Sequence, residues 1–177
     1  MSATKISFDS LRNALGNPRL PPPSLIANAD QVKQMSPEDG LQQWVDGSAV
    51  RRLTAPSAPL LDTSHVQAAH LWVVRMDDVV HAHERGGFGM SLESGVIKHT
   101  NLTGGAPAFS GGELLFLDPQ TVVVNGCSGR YGPRSAQELD LVVQAFANSG
   151  YGVWSMGFDD EVNRPSPFVG VLPVWVS

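Results

Sequence analysis

An α+β fold is what this sequence predicts: a mostly antiparallel sheet with one principal helix at about residues 135–150, preceded by a proline-rich, partly helical N-terminal arm. Three observations lead there. Short β-branched runs bounded by turn residues recur from about His65 onward. A single segment switches to a strong helical period behind a clear cap. Pro18, Pro21, Pro22, Pro23, Pro37, Pro56 and Pro59 interrupt the first third, where β-branched clusters are sparse. The expected division is therefore an arm over residues 1–64 and an α+β catalytic domain over residues 65–177.

Taken in order, the arm carries two helical signals. The first covers Phe8 to Leu15 and is stopped by Gly16 and Pro18. The second starts at Ser36 as N-cap with Pro37 at the first helical position and Glu38 and Asp39 in the first turn. Leu41, Trp44 and Val45 would then share one face, and the helix would end near Asp46-Gly47. Beyond residue 65, Leu71 to Val74 and Val79 to His83 form a hairpin around Asp77-Asp78. Val96 to Thr100 reads as a third strand. Glu113 to Leu117 and Thr121 to Asn125 form an antiparallel pair joined by Asp118-Pro119-Gln120. Ser135 and Glu138 then make a capping box, the serine oxygen accepting from the glutamate N–H and the carboxylate reaching back to the serine N–H. Leu139, Val142, Val143, Phe146 and Ala147 follow at helical spacing, and Gly150 ends the helix. Val153 to Met156 and Phe168 to Val176 close the sheet, the last placed at an edge by Pro165, Pro167 and Pro173.

Composition narrows the function classes. The chain has 177 residues, 42% hydrophobic and 16% charged, with 18 glycines and 13 prolines, which excludes both a long helical bundle and disorder throughout. A net charge of −5 provides no general attraction for a polyanion, so nucleic acid is not an expected partner. No stretch approaches the roughly 20 apolar residues of a membrane span, and Met1 to Leu15 lacks the apolar core of a signal peptide. A soluble protein is expected, cytoplasmic or translocated without a cleaved signal. With one cysteine, Cys127, an internal disulfide is impossible, and its bland reading is a small residue in a turn.

The chemistry concentrates between Thr121 and Ser135, where a strand, a glycine-rich loop and a capped helix follow one another. Gly126, Gly129 and Gly132 would let the backbone approach a ligand. The helix N-terminus, with Ser128, Arg130, Arg134 and Ser135 beside it, would hold phosphate or carboxylate. The alternative is a tight turn. The spacing matches neither the dinucleotide fingerprint nor the Walker A loop. His99 and Thr100 are candidates for base, proton donor or orienting groups, against a structural reading for a strand histidine. Glu113, directly after Gly111-Gly112, is a candidate acid or base, or an ion-pair partner for Arg130. Tyr131 completes the catalytic candidates. His81 and His83 on one strand face are compatible with a metal only if His65, His70 or His99 joins them, and no metal is assigned.

These residues carry a resemblance. Lys98-His99-Thr100-Asn101-Leu102, Gly112-Glu113, and Asn125 followed by Ser128-Gly129-Arg130-Tyr131 and Pro133 resemble a pattern in C-terminal domains of bacterial polymorphic toxins and secreted effectors. The same string is similar to the core of plant calmodulin-binding IQ-motif proteins. Both groups read K/R-H-S-x-L, then G-E, then S-G-H-Y-x-P, and the likeness covers roughly residues 95 to 150. Thr100 keeps the hydroxyl of the usual serine. Arg130 replaces the usual histidine, removing a group that titrates near neutrality but retaining an anion contact. With no calmodulin-binding motif in the chain, that partner does not carry over.

The resemblance implies a bacterial effector or toxin-type enzyme that binds a nucleotide-like or phosphorylated substrate and transfers a group to a protein target. NAD or ATP would be the co-substrate, and a cognate immunity protein a possible partner. A ribonuclease-like toxin and a non-catalytic immunity or adaptor protein are the alternatives.

Overall fold

The computed structural model describes residues 2–48 and 54–176. Its centre is a seven-stranded sheet in the order β1-β3-β2-β4-β5-β6-β9. The strands are β1 (Gln42–Gln43), β2 (His70–Val74), β3 (Val79–His83), β4 (Ser110–Asp118), β5 (Thr121–Asn125), β6 (Gly152–Ser155) and β9 (Val174–Val176). All neighbours are antiparallel except β5 and β6, which are parallel because helix α5 (Ala136–Asn148) connects them. A separate ribbon pairs β7 (Phe158–Asp159) with β8 (Arg164–Pro165). The α+β class and the mostly antiparallel sheet are as the sequence predicts.

Alternation along the strands divides the core. Trp72, Val74, Val79, Leu114, Val122, Val124 and Val153 face one side and pack under α5 and α1 (Ala3–Leu15). The two helices meet through Phe8 and Phe146, whose rings are 5.1 Å apart and edge to face. On the opposite side Leu71, Val73, Val80 and Ala82 pack with Met35, Ile97, Leu102 and Tyr131. Leu115, Val123 and Trp154 form a second apolar group on that side with Met156 and Phe168. Glu113 and Asn125 alternate with Leu115 and Val123, so they share this face and stand between its two apolar groups.

Helix α5 forms as its cap dictates: Ser135 Oγ accepts from the Glu138 N–H at 3.1 Å. Its carboxylate, however, accepts from Arg134 N–H at 2.9 Å rather than from Ser135, so the reciprocal half of the box is displaced by one residue. Ser135→Ala is expected to cost about 1 kcal/mol in urea unfolding, without changing the m-value.

Four expectations are corrected. The helix expected over Phe8 to Leu15 is present but longer: α1 begins at Ala3, capped by Ser2, and spans 13 residues, as many as α5. The predicted helix from Ser36 stops after one 3₁₀ turn, Pro37–Asp39. The cap is real, since Asp39 accepts from Ser36 N–H, but Gly40 at φ 104° turns the chain. Gln42–Gln43 then joins β3, and Trp44 is inserted against Phe146 and Tyr151, with its Nε1–H donating to Ser149 Oγ at 2.9 Å. Past the short helices α2 (Thr63–Gln67) and α3 (Gly87–Met90), the strand expected over Val96 to Thr100 is instead a loop entering α4 (His99–Thr103), because Asn101 Oδ1 accepts from Lys98 N–H at 2.7 Å and starts a helical turn. From Phe168 on, only Val174–Val176 pairs, as an edge strand.

Of the predicted arm, Met1 and residues 49–53 lie outside the described residues. The remainder is not peripheral: Phe8, Leu11 and Trp44 belong to the core under α5, and Met35 to the core on the other face.

Candidate functional site

The sheet ladder sets the site. Leu71, Glu113 and Asn125 lie opposite one another on β2, β4 and β5. Asn125 is fully buried, and both ends of its amide are used. Nδ2–H donates to Glu113 Oε1 at 3.0 Å, and Oδ1 accepts from the N–H groups of Glu113 and Cys127 at 2.9 and 3.0 Å. Burial pushes the pKa of the half-buried Glu113 up. The hydrogen bond from Asn125 acts against this, and the nearby Glu84 adds to the upward push. The Cys127 thiol, also half-buried, is pushed up to about 12, first by burial and then by Glu113. It is a protonated, unreactive thiol, 3.6 Å from Ser166 O.

His99 opens α4 and points its ring at the β4 backbone. Nε2–H donates to Gly112 O at 2.8 Å, which fixes the tautomer. Burial is the main reason its pKa is pushed down to about 4, so at neutral pH the ring is uncharged and leaves Nδ1 as an acceptor. Gly111 permits this approach, since a Cβ there would lie 3.3 Å from His99 Cδ2 and 3.1 Å from Tyr131 Cβ. His99 and Glu113 are thereby brought to the same short stretch of β4.

The other predicted residues are placed elsewhere. Thr100 is buried, and its hydroxyl donates to Gln31 O. Tyr131 is buried in the second core, its hydroxyl donating to Ala106 O and bonded to Thr103 Oγ1, both at 2.8 Å. Ser128 Oγ accepts from the N–H groups of Arg130 and Tyr131, closing the loop on itself. Gly126 has no room for a ligand, because a Cβ there would meet Pro133 Cγ at 2.5 Å. Gly129 is exposed, and a Cβ there would lie 3.6 Å from Leu25 Cδ1. At the start of α5, Ser135 Oγ and the Glu138 carboxylate already take N–H groups assigned to an anion, and Arg134 is exposed. The loop from Gly126 to Ser135 is thus a self-bonded turn, and the expected anion cradle at the helix end is filled by Glu138.

Arg130 does not pair with Glu113. Its Nη2 donates to Leu25 O at 2.7 Å and Gln31 Oε1 at 3.0 Å, and its buried Nε has no partner among the described residues. The histidine pair is also different from that weighed above: His81 meets His70 across the ladder, Nδ1 to Nδ1 at 3.0 Å, rather than joining His83. Among the described residues, no group of three or more His, Cys, Asp or Glu is arranged to hold a metal ion.

Sequence reasoning missed Asn125 as the clamp on Glu113, Glu84 as its electrostatic neighbour, and Arg19. The Arg19 Nη2 reaches the carbonyls of Phe109, Tyr131 and Gly132 at 3.4, 3.3 and 3.0 Å, tying the loop to the start of β4. A polar Asn directly after three valines in β5 was the available signal for Asn125. Compared with protein-family models, curated proteins and solved structures, the chain matches none of them. Among the described residues no helix is long and apolar enough to cross a membrane.

Proposed function

We propose that the chain is a bacterial effector or toxin-type enzyme that transfers a group from a nucleotide co-substrate, NAD or ATP, to a protein target, with Glu113 as its acid/base group. The observation that carries this reading is a half-buried carboxyl with an upshifted pKa, clamped by a buried asparagine and set between two apolar clusters. Such perturbed groups concentrate where proton transfer is done. In its ionised form Glu113 takes the proton of the acceptor's hydroxyl or amine as the new bond forms and ADP or nicotinamide leaves. Neutral His99 holds the adjacent backbone in place through Gly112 O. Thr100, Tyr131 and Ser128 support this site structurally.

Glu113→Gln preserves the acceptor for Asn125 and removes the titratable group. It is expected to lower turnover of ATP or NAD by the purified protein about 100-fold while leaving the far-UV circular dichroism spectrum unchanged. Absence of heat with ATP, NAD and ADP-ribose in calorimetry on folded wild-type protein would remove the reading.

The self-satisfied loop and filled α5 N-terminus favour a second reading, a non-catalytic immunity or adaptor protein whose net charge of −5 suits a basic partner. A tight complex with a basic partner that survives Glu113→Gln would support it. Ribonuclease chemistry is less well supported: His99, with a pKa near 4, is not charged at neutral pH to act as a general acid.

A further inference from the structure

Residues 22–34 cross the face that carries the K-H-T-N-L and S-G-R-Y strings. Pro21 and Met35 are buried at the two ends, and no residue between them is. Both 3₁₀ turns of this strap, Pro23–Leu25 and Ala29–Val32, lack buried side chains. Polar contacts hold it instead, and the principal ones read its main chain. Arg130 donates to Leu25 O, Thr100 to Gln31 O, and Asn101 Nδ2 to the carbonyls of Asp30 and Lys33, both at 2.8 Å. In return Met35 N–H donates to Asn101 O at 2.8 Å. Beneath the strap lies a cavity of about 310 Å³ lined by Asp30, Gln31, Leu92, Glu93, Lys98 and Asn101.

A segment with few buried apolar contacts, fastened by partly exposed hydrogen bonds, opens at low local free energy. Apart from the second Arg130 bond, to Gln31 Oε1, these side chains satisfy themselves on main-chain carbonyls, so a chain that takes the same 3₁₀ turn and presents its carbonyls at that spacing satisfies them equally. We propose that residues 22–34 are a displaceable strap and that the face beneath, built by Thr100, Asn101 and Arg130, is a polypeptide-binding site occupied in cis. Resting on the function proposed above, this identifies where the protein target docks: a segment that takes the strap's turned backbone replaces it.

Hydrogen exchange on the wild-type chain is the first test. Amides of residues 24–34 are expected to exchange at least about 100-fold faster than those of β4 and β5; equal protection would overturn the proposal. The second test uses a fluorescein-labelled peptide of residues 22–35, added in trans and read by anisotropy. Because the cis strap competes at roughly millimolar effective concentration, weak binding to wild type is expected, with at least about fivefold tighter binding to Gln31→Gly, whose strap loses one of its two Arg130 bonds and the brace from Gln31 Oε1 to Ala27 N–H.

Locking the strap gives the converse. A Cβ on Gly105 would lie 3.7 Å from Val32 Cβ, within disulfide reach, so Val32→Cys/Gly105→Cys should exclude the peptide when oxidised and readmit it on reduction. Cys127, with its thiol pKa pushed up to about 12, stays out of this exchange. If the Gly105 backbone, at φ 84°, does not tolerate cysteine, Arg130→Met in the Gln31→Gly background supplies the same arm through loss of peptide binding. No peptide binding by a protein whose strap exchanges rapidly would overturn the site, and so would displacement of the peptide by ATP. Failure of the enzymatic reading would appear separately, as bound peptide without turnover.

Discussion

Gly112→Ala is expected to destabilise the protein by about 3–4 kcal/mol, measured as the urea midpoint at constant m-value. A Cβ at this position would sit 2.1 Å from Asn125 O and 2.7 and 2.9 Å from two atoms of the Trp72 indole. The first contact is with backbone, so no rotamer relieves it. Trp72 is fully buried, directly opposite Gly112, and its Nε1–H donates to Glu113 O at 3.1 Å. Moving the ring therefore breaks that hydrogen bond as well as the packing under α5. The consequence extends to the site, because Gly112 O receives His99 and the adjacent Glu113 is clamped by Asn125. Gly111→Ala is the control: its Cβ would meet neighbours at 3.1 to 3.3 Å, and it should cost about half as much. If Gly112→Ala were no worse than Gly111→Ala, close packing of Trp72 on β4 would not be what requires a glycine there.

The glycine pair shows what the sequence made legible. Position and residue type identified Gly111-Gly112-Glu113 as a place of close approach, but not what approaches. The answer differs for the two neighbours because alternate residues face opposite sides of the sheet. Gly111 admits His99 and Tyr131, whereas Gly112 admits Trp72. The β-branched runs and the cap of α5 were readable because each is decided by neighbours within a few residues. The partner of Glu113 was not. Counting back from the predicted link Asp118-Pro119-Gln120 does put Asn125 opposite Glu113, as the ladder has it, but register alone does not say that the buried amide donates to the facing carboxylate.

The misread elements share one cause. Ser36-Pro37 and Lys98 to Asn101 each start a local turn, and distant partners fix where the chain goes next. Trp44 leaves the helical path predicted for it because the space between Phe146, Tyr151 and Phe116 accepts an indole. His99 leaves the strand path because the strap supplies acceptors to Thr100 and Asn101. The loop before α5 was correctly located but overread. Gly126 and Gly132 relieve contacts with Pro133 and Ser128 O, within the turn itself, rather than admitting a ligand.

Three histidines held neutral in the fold should make the protein acid-labile well above the carboxylate range. His70, His81 and His99 are each pushed down to about 4 from an ordinary value near 6.5, with burial the first cause in every case. His83 adds repulsion on His70, His70 on His81, and Arg130 and Lys98 on His99. Folding disfavours the charged form, so their contribution is fully present above pH 6.5. As pH falls from 6.5 to 4 the unfolded chain binds protons that the folded chain refuses, and stability declines across that window. Below about 4 the folded rings titrate too, and the decline from these groups ends. Glu113, upshifted, acts in the opposite sense and offsets a small part, while Asp78, held down by Arg75 and Gln43, loses its contribution only at lower pH.

Full burial makes His99 the largest contributor, about 3 kcal/mol, and partial exposure reduces the share of His70, so the three together amount to roughly 5 kcal/mol. Urea unfolding at pH 7.0, 5.5 and 4.5 should show most of that loss. The His70→Phe/His81→Leu double variant, apolar among Trp44 and Phe116, should lose only their share of the decline, about 2 kcal/mol, because it removes both titrating rings and the Nδ1 to Nδ1 contact together while His99 remains. A wild-type profile level from pH 7.0 to 4.5 would mean that the histidine pair and His99 reach solvent in the native state, and the neutral imidazole assigned to the site would then be wrong.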